Sequence, residues 1–195
     1  MNDLKVDVLA EAASCLLDAK LDSAAEAINT EYPFIPVKSN GRNYTIKQMM
    51  NQFFSDGFID RYSGKRLVNP GMLRTLSQMI PKAFPYQAHW KTEECHIAYW
   101  EYQPTIDHIY PVSLGGADSK KNWATPSMMN NSAKSNFTLE QLNWTLKAKG
   151  DIRDWDGLSR MFVDIVENNQ SLLSVERIKN YYVATKETMK EFGLI

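Results

Sequence analysis

Residues 105–136 read TIDHIYPVSLGGADSKKNWATPSMMNNSAKSN, and this stretch decides both the fold class and the chemistry. Asp107 offers a hard carboxylate oxygen, which suits a divalent cation such as Mg²⁺. His108 beside it carries an imidazole, which can take up a proton near neutral pH. Pro111 predicts the end of a strand, and Gly115-Gly116 predicts a tight loop after it. The first half of the segment is therefore predicted to be a strand that carries reactive groups into a turn.

The second half of the segment is predicted to become ordered again at Asn122 and to continue into a short helix over about 126–135. Asn131 and Lys134 are three residues apart on this helix, so they share a face. An amide oxygen and an ammonium group on one helix face could both meet a single phosphate.

Taken as a whole, the series resembles the HNH family of ββα-metal nucleases. It has Asp-His, a proline three residues on, Gly-Gly, an acidic residue, Asn, and then Asn-x-x-Lys. The spacings agree as well, with 14 residues from His108 to Asn122 and 23 from His108 to Asn131. The resemblance implies an α+β fold, in which a ββα-metal core carries mainly α-helical N- and C-terminal extensions. We expect the extension 1–44, the nuclease core 45–137 and the extension 138–195 to form one compact unit.

The resemblance also implies a role for each residue of the motif. His108 would be the general base that activates water, and Asp107 and Asn131 would hold one divalent metal ion, Mg²⁺ or Mn²⁺. Asn122 would brace the loop with hydrogen bonds from its side chain to the backbone. Lys134 would face a phosphate.

One step of this assignment does not follow from strand geometry. Adjacent residues of a strand point to opposite faces, yet Asp107 and His108 must act on one phosphate. A twist or a bulge in the strand is therefore expected at this point.

The chain departs from the family pattern where many members bind a structural zinc ion through two Cys-x-x-Cys pairs. Asp60 and Ser63 stand where the first pair of cysteines usually stands, and Asn130 replaces a cysteine of the second pair. We therefore predict that there is no structural zinc. The only two cysteines, Cys15 and Cys95, are far apart and are predicted to be reduced thiols.

Charge along the chain points to the same region. Residues 1–37 carry a net charge of −5, residues 38–150 carry +6 and residues 151–195 carry −2. A basic middle segment is typical of a chain that binds phosphates. Within it Arg61, Lys65 and Arg66 lie on a predicted turn and are candidate contacts to a nucleic acid backbone, with a solvated turn as the alternative.

Apolar spacing and capping residues predict the other elements. They are helices over 3–18, 20–30, 46–55 (capped by Thr45), 71–80, 155–168 (capped by Asp154) and 175–192 (capped by Ser174), a hairpin over 58–68, and a helix that begins with a capping box at Thr138.

These observations predict a metal-dependent endonuclease that hydrolyses DNA, most simply double-stranded DNA, in the manner of a prokaryotic defence or restriction enzyme. One such site cuts one strand, so a homodimer would be needed to cut both. A catalytically inactive module that binds nucleic acid, an RNA-directed nuclease and a toxin nuclease stay open as alternatives. No apolar run is long enough to span a membrane, so no membrane partner is expected, and the expected location is cytoplasmic.

Overall fold

The computed structural model describes residues 4–35 and 44–195, and the chain divides into two compact units, Met1–Gly41 and Arg42–Ile195. The first unit is a helical hairpin of α1 (Leu4–Leu17) and α2 (Leu21–Glu31), close to the predicted bounds. Ala12 and Ala24 are buried residues of this hairpin, and their small side chains allow the two helices to approach closely.

The second unit is mainly helical and contains a small antiparallel sheet, so the chain is an α+β protein. Among the described helices, none combines the length and the apolar character needed to cross a membrane. The elements of this unit, in chain order, are α3 (Ile46–Ser55), α4 (Pro70–Met79), α5 (Ala98–Glu101), β1 (Asp107–His108), β2 (Trp123–Ala124), α6 (Met128–Lys134), α7 (Ser159–Asn168) and α8 (Glu176–Glu191).

Two helices begin within one residue of the predicted position. Thr45 caps α3 in a capping box: its Oγ1 accepts a hydrogen bond from the Gln48 amide, and the Gln48 side chain accepts one from the Thr45 amide. Pro70 is the first residue of α4, where its missing N–H costs no hydrogen bond. Asn69 caps α4 by accepting a hydrogen bond from the amide of Gly71.

The main core is formed by α3, α4, α7 and α8 together. Fully buried side chains such as Phe53, Phe162 and Ile178 come from three of these helices and lie in one cluster. Gly71 lets α4 lie close to α7, because a Cβ at this position would come within 2.4 Å of the Phe162 ring. Residues 138–195, predicted as an extension, therefore share their core with the rest of Arg42–Ile195.

A buried polar residue links the same helices. Asn69 is completely inaccessible to solvent, and its Nδ2 donates to Ser159 Oγ at 3.0 Å and to Thr185 Oγ1 at 3.1 Å. Because α7 and α8 each supply one acceptor, the hydrogen bonds select one relative placement of three helices. Buried polar groups are costly unless they are paired, so this network favours a single packing arrangement.

The sheet positions the motif residues and leads directly into α6. Asp107 pairs with Ala124, and His108 pairs with Trp123. Hydrogen bonds on both sides of these pairs extend the antiparallel ladder from Gln103 to Ile109. Over these described residues the ladder is regular, and it contains no bulge of the kind expected between Asp107 and His108.

Four local predictions differ from the structure. The capping box at Thr138 forms, but it closes a single turn, because Asn143 then adopts a left-handed conformation with φ of 54°. Helix α7 begins at Ser159 and not near 155; Asp156 accepts hydrogen bonds from the first amides of the helix. Ser174 does not cap α8, since its hydroxyl donates to the carbonyl of Ser171. The hairpin predicted over 58–68 is reduced to a turn with one bridge, between Ile59 and Arg66.

The aromatic segment before β1 forms a second, smaller core around Tyr99. Phe84, Tyr86 and Trp90 surround this buried ring. These aromatic side chains therefore pack against one another. Both cysteines are free thiols, as predicted.

Candidate functional site

The Asp107 carboxylate is held on one side and open on the other. Its Oδ2 accepts a hydrogen bond of 2.6 Å from the Tyr62 hydroxyl and lies 2.9 Å from Lys134 Nζ. Burial, together with the negative charge of Asp107, raises the pKa of Tyr62 far above its usual value, so the phenol stays a proton donor. Among the described residues, Asp107 Oδ1 has no hydrogen-bond partner. One carboxylate oxygen of Asp107 is therefore held by hydrogen bonds, and the other is available to a ligand.

Lys134 is placed differently from the sequence expectation. It was expected to face a phosphate, but it is completely buried. Its Nζ donates to the His108 carbonyl oxygen at 2.7 Å and pairs with Asp107 Oδ2. The ammonium thus fastens α6 to β1 beneath the motif. In this conformation it cannot also contact a phosphate at the surface, so its predicted role as a nucleic-acid contact needs correction.

His108 faces a different set of side chains. Its Nε2 lies 2.9 Å from Asp118 Oδ1 and 3.4 Å from the Tyr44 hydroxyl. The same carboxylate oxygen accepts hydrogen bonds from Tyr44 at 2.9 Å and from Trp123 Nε1 at 2.8 Å. The hydrogen bond with His108 is the main cause that lowers the pKa of Asp118, which favours the ionised carboxylate.

The second imidazole nitrogen of His108 remains available. Among the described residues Nδ1 has no hydrogen-bond partner, and His108 as a whole is 2% exposed. With Nε2–H directed at the Asp118 carboxylate, Nδ1 carries the lone pair and can accept a proton.

Asn131 lies next to the start of β1. Its Nδ2 donates to Thr105 Oγ1 at 2.9 Å and to the Ile106 carbonyl oxygen at 3.4 Å. These bonds orient the amide, and its Oδ1 has no hydrogen-bond partner within residues 4–35 and 44–195. The structure thus brings the Asn131 amide to the residues immediately before Asp107, and each of the two side chains keeps one oxygen open.

Asn122 makes the side-chain-to-backbone hydrogen bonds that were predicted for it. Its Oδ1 accepts from the Tyr110 amide at 2.9 Å, and its Nδ2 donates to the carbonyls of Tyr110 at 2.8 Å and Ala117 at 2.9 Å. Three bonds from one side chain close the loop between the two strands. The loop carries Asp118, so Asn122 also fixes the residue that contacts His108.

The positions where many HNH proteins carry zinc-binding cysteines are joined here by a carboxylate. Asp60 Oδ1 accepts hydrogen bonds from the amides of Tyr62 and Ser63. Asp60 Oδ2 accepts from the Ser127 amide at 3.0 Å and from Asn130 Nδ2 at 2.7 Å. The turn at 60–63 is thereby linked to the start of α6 by hydrogen bonds. That no structural zinc is bound stays a prediction.

The three basic residues of the 60–66 turn differ in their surroundings. Arg61 is only 8% exposed: its Nη1 pairs with Asp56 at 2.9 Å and its Nε donates to the Lys147 carbonyl. This guanidinium is therefore a structural group, and its prediction as a backbone contact needs correction. Lys65 and Arg66 are exposed, and the Arg66 guanidinium lies over the Trp155 ring. Both residues stay candidate contacts to a nucleic acid backbone.

A basic cleft lies beside the motif and was not singled out from the sequence. It has a volume of about 460 Å³, and its lining includes Lys120, Lys121 and Lys149. Lys149 is paired with the buried Asp56 at 3.1 Å, whereas Lys120 and Lys121 are exposed. The latter two directly precede Asn122, so the cleft adjoins the braced loop. The adjacent residues Lys120 and Lys121 were the feature of the sequence that could have indicated this cleft.

Two further groups of the site were also missed. Tyr62 fixes the Asp107 carboxylate from 45 residues away, and Tyr44 reaches Asp118 across 74 residues. Neither has a local sequence signature, because a tyrosine in a turn or before a helix cap is common in any protein. Asp118 had a signal, since it is the acidic residue between Gly-Gly and Asn in the motif.

Comparison of this chain with models of known protein families, with characterised proteins and with solved structures found no match.

Proposed function

We propose that this chain is a metal-dependent endonuclease of the HNH type, which hydrolyses phosphodiester bonds of DNA. The observation that carries the proposal is the attachment of α6 to β1. Lys134 and Asn131 on the helix contact Asp107, His108 and the residues just before them. A strand pair followed by a helix thus holds the Asp107 carboxylate and the Asn131 side chain on one unit and fixes the backbone that carries the His108 imidazole.

The donor set fits a small divalent cation. Asp107 Oδ1 and Asn131 Oδ1 would be the protein ligands, and both are hard oxygens without a competing partner in the described chain. Mg²⁺ and Mn²⁺ suit such a site, because Mg²⁺ commonly uses one or two protein carboxylates and completes its shell with water and substrate phosphate. When bound, such a cation would stabilise the negative charge that builds up on the phosphate oxygens.

His108 would act as the general base through Nδ1. Because Asp118 receives Nε2–H, the imidazole is held in one orientation and in the tautomer that has its lone pair on Nδ1. A water molecule that hydrogen-bonds to this nitrogen would lose its proton to His108 as it attacks the phosphorus atom. The bond from phosphorus to the 3′ oxygen would break, and that oxygen would take a proton from solvent, which leaves a 5′-phosphate and a 3′-hydroxyl. Asp118 is then a positioning residue, comparable to the third group that orients a catalytic base in other hydrolases.

The surroundings provide a surface for the substrate backbone. Lys120 and Lys121 extend the positive charge from the braced loop into the adjoining cleft. Salt-dependent contacts from such lysines position a nucleic acid without reading its sequence. A duplex cut on both strands would require two copies of the chain, since one site cuts one strand.

The test is cleavage of supercoiled plasmid by the full chain with Mg²⁺ or Mn²⁺, with an EDTA control. We expect nicked product with either metal and none with EDTA. His108→Ala should lower the rate by about two to four orders of magnitude, the range that general bases contribute. His89→Ala is the matched control, since His89 is exposed and its side chain is outside the site.

The outcomes separate the alternatives. Metal-dependent cleavage that survives His108→Ala would refute the assigned base. Binding of DNA with no cleavage of DNA or RNA under either metal would favour an inactive binding module. Cleavage of RNA alone would keep the chemistry and change the substrate.

A further inference from the structure

A small polar cavity, separate from the cleft beside the Asp-His motif, is lined by an arginine that has no counter-ion among the described residues. The cavity has a volume of about 90 Å³ and is lined by Arg74, Tyr86, Ala88, Trp90, Gln103, Arg177 and Tyr181. These lining residues, all in the described part of the chain, include two arginines and no carboxylate. They come from α4, α8 and the aromatic segment, all within the unit Arg42–Ile195.

Arg74 is the unusual member of the lining. Its Nε and Nη1 are buried, and neither has a hydrogen-bond partner in the described part of the chain. The guanidinium lies on the Tyr86 ring, with Cζ 3.5 Å from the ring centre. A stacking contact of this kind fixes the plane of the group and leaves the edge donors Nε and Nη1 free to bind. Buried charged donors without partners are costly, so a ligand or ordered water is expected at this edge.

Arg177 adds a second positive charge at the same cavity. It is exposed, in the first turn of α8, and no described carboxylate forms an ion pair with it. Two guanidinium groups around one small space recognise planar or tetrahedral oxyanions through paired N–H donors. Gln103 and Tyr181 supply further polar groups at the wall.

The volume limits what the cavity can hold. The cavity volume is several times the roughly 10–15 Å³ that a single water molecule needs. It is well below the roughly 300–1,000 Å³ typical of pockets for whole small-molecule ligands. A single phosphate group fits these limits, and a complete nucleotide does not.

We propose that the cavity between Arg74 and Arg177 is a binding site for one phosphate group. The group comes either from inorganic phosphate in solution or from the end of a phosphorylated nucleic acid strand. The site is independent of the proposed nuclease centre, and it would stand if that assignment failed.

The experiment measures thermal unfolding of the full chain against phosphate concentration, with potassium chloride at matched ionic strength as the reference. Wild-type protein should show a saturating rise of Tm with phosphate. Arg177→Gln should require at least about tenfold more phosphate for the same rise, and Arg74→Met should abolish it. Lys179→Gln is the matched control: it removes one charge from the same helix at an exposed position outside the cavity lining, and it should respond like wild type.

A second arm distinguishes the two sources of phosphate. A short deoxyoligonucleotide is tested for binding with a 5′-phosphate and with a 5′-hydroxyl, both in EDTA so that no strand is cut. If inorganic phosphate competes with the 5′-phosphorylated strand for wild-type protein, and this competition is lost in Arg177→Gln, the ligand is a strand end. A response to inorganic phosphate alone supports a free anion. The proposal is overturned if neither phosphate source gives a saturating response, or if the response is unchanged in both arginine variants. Arg74 would then be a structural residue whose donors bind water.

Discussion

Replacement of Lys134 by methionine tests whether this residue is a structural group or a phosphate contact. Methionine nearly preserves the shape of the side chain but removes the ammonium group. The substitution removes two charge-assisted interactions, at 2.7 Å to the His108 carbonyl and at 2.9 Å to Asp107. The Asp107 carboxylate would stay in a buried place with Tyr62 as its remaining described partner.

The expected cost is large because the lysine is completely buried. Removing one partner of a buried ion pair costs about 3–5 kcal/mol, since the other charge is left uncompensated. A domain of this kind has a free energy of unfolding of about 5–15 kcal/mol, so such a loss is a substantial part of it. Urea unfolding followed by circular dichroism at neutral pH would measure the change. Lys121→Met is the control, because Lys121 is exposed and should change the free energy of unfolding by less than about 0.5 kcal/mol.

A contact to phosphate alone predicts the opposite pattern. Lys134→Met would then unfold at nearly the same urea concentration as wild type and lose only substrate affinity. A destabilisation below about 1 kcal/mol, the range of an exposed ion pair, would refute the buried pairing of Lys134 with Asp107. The double variant Lys134→Met with Asp107→Asn should recover part of the stability, since it removes the uncompensated charge as well.

Three further predictions concern the groups around the motif. Tyr62→Phe removes the 2.6 Å hydrogen bond to Asp107 and should raise the Mg²⁺ concentration for half-maximal cleavage by about 10- to 100-fold, measured by metal titration. Asp118 has a lowered pKa in the folded chain, so its stabilising contribution is complete above the ordinary value of 3.8 and disappears as pH falls through the lower folded value. Asp118→Asn should therefore reduce the fall of Tm with pH in acid, and parallel Tm curves for the two proteins would contradict the pairing with His108. Replacement of Lys120 and Lys121 by glutamine should weaken DNA binding. It should also reduce the slope of log K against log salt by about 0.9 for each phosphate that the variant no longer neutralises, measured by fluorescence anisotropy in EDTA.

Local signals in the sequence predicted what local interactions determine. The capping box of Thr45 and Gln48 involves residues three apart, so the start of α3 could be predicted. The loop contacts of Asn122 followed from the motif, because its partners at Tyr110 and Ala117 lie within 12 residues. The same logic failed at Thr138, where the capping box forms but the following residues do not continue the helix.

Long-range packing decided the features that could not be predicted. Nothing near Lys134 in the sequence shows that its ammonium is buried, since the groups that surround it come from β1 and from the turn at Tyr62. Arg61 looked like a surface cation, because its partner Asp56 and its contact at Lys147 become neighbours only when the chain folds. A charged side chain in a polar turn is exposed by default, and only the tertiary structure reveals the exception.

The carboxylate of Asp60 has a practical consequence for the study of this protein. The join between the turn at 60–63 and α6 consists of hydrogen bonds to Ser127 and Asn130, and none of these three described residues carries a thiol. Because hydrogen bonds need no metal, we expect this join to persist in EDTA. On the proposed function, a loss of cleavage in EDTA would then report on the reaction, and adding metal back should restore it.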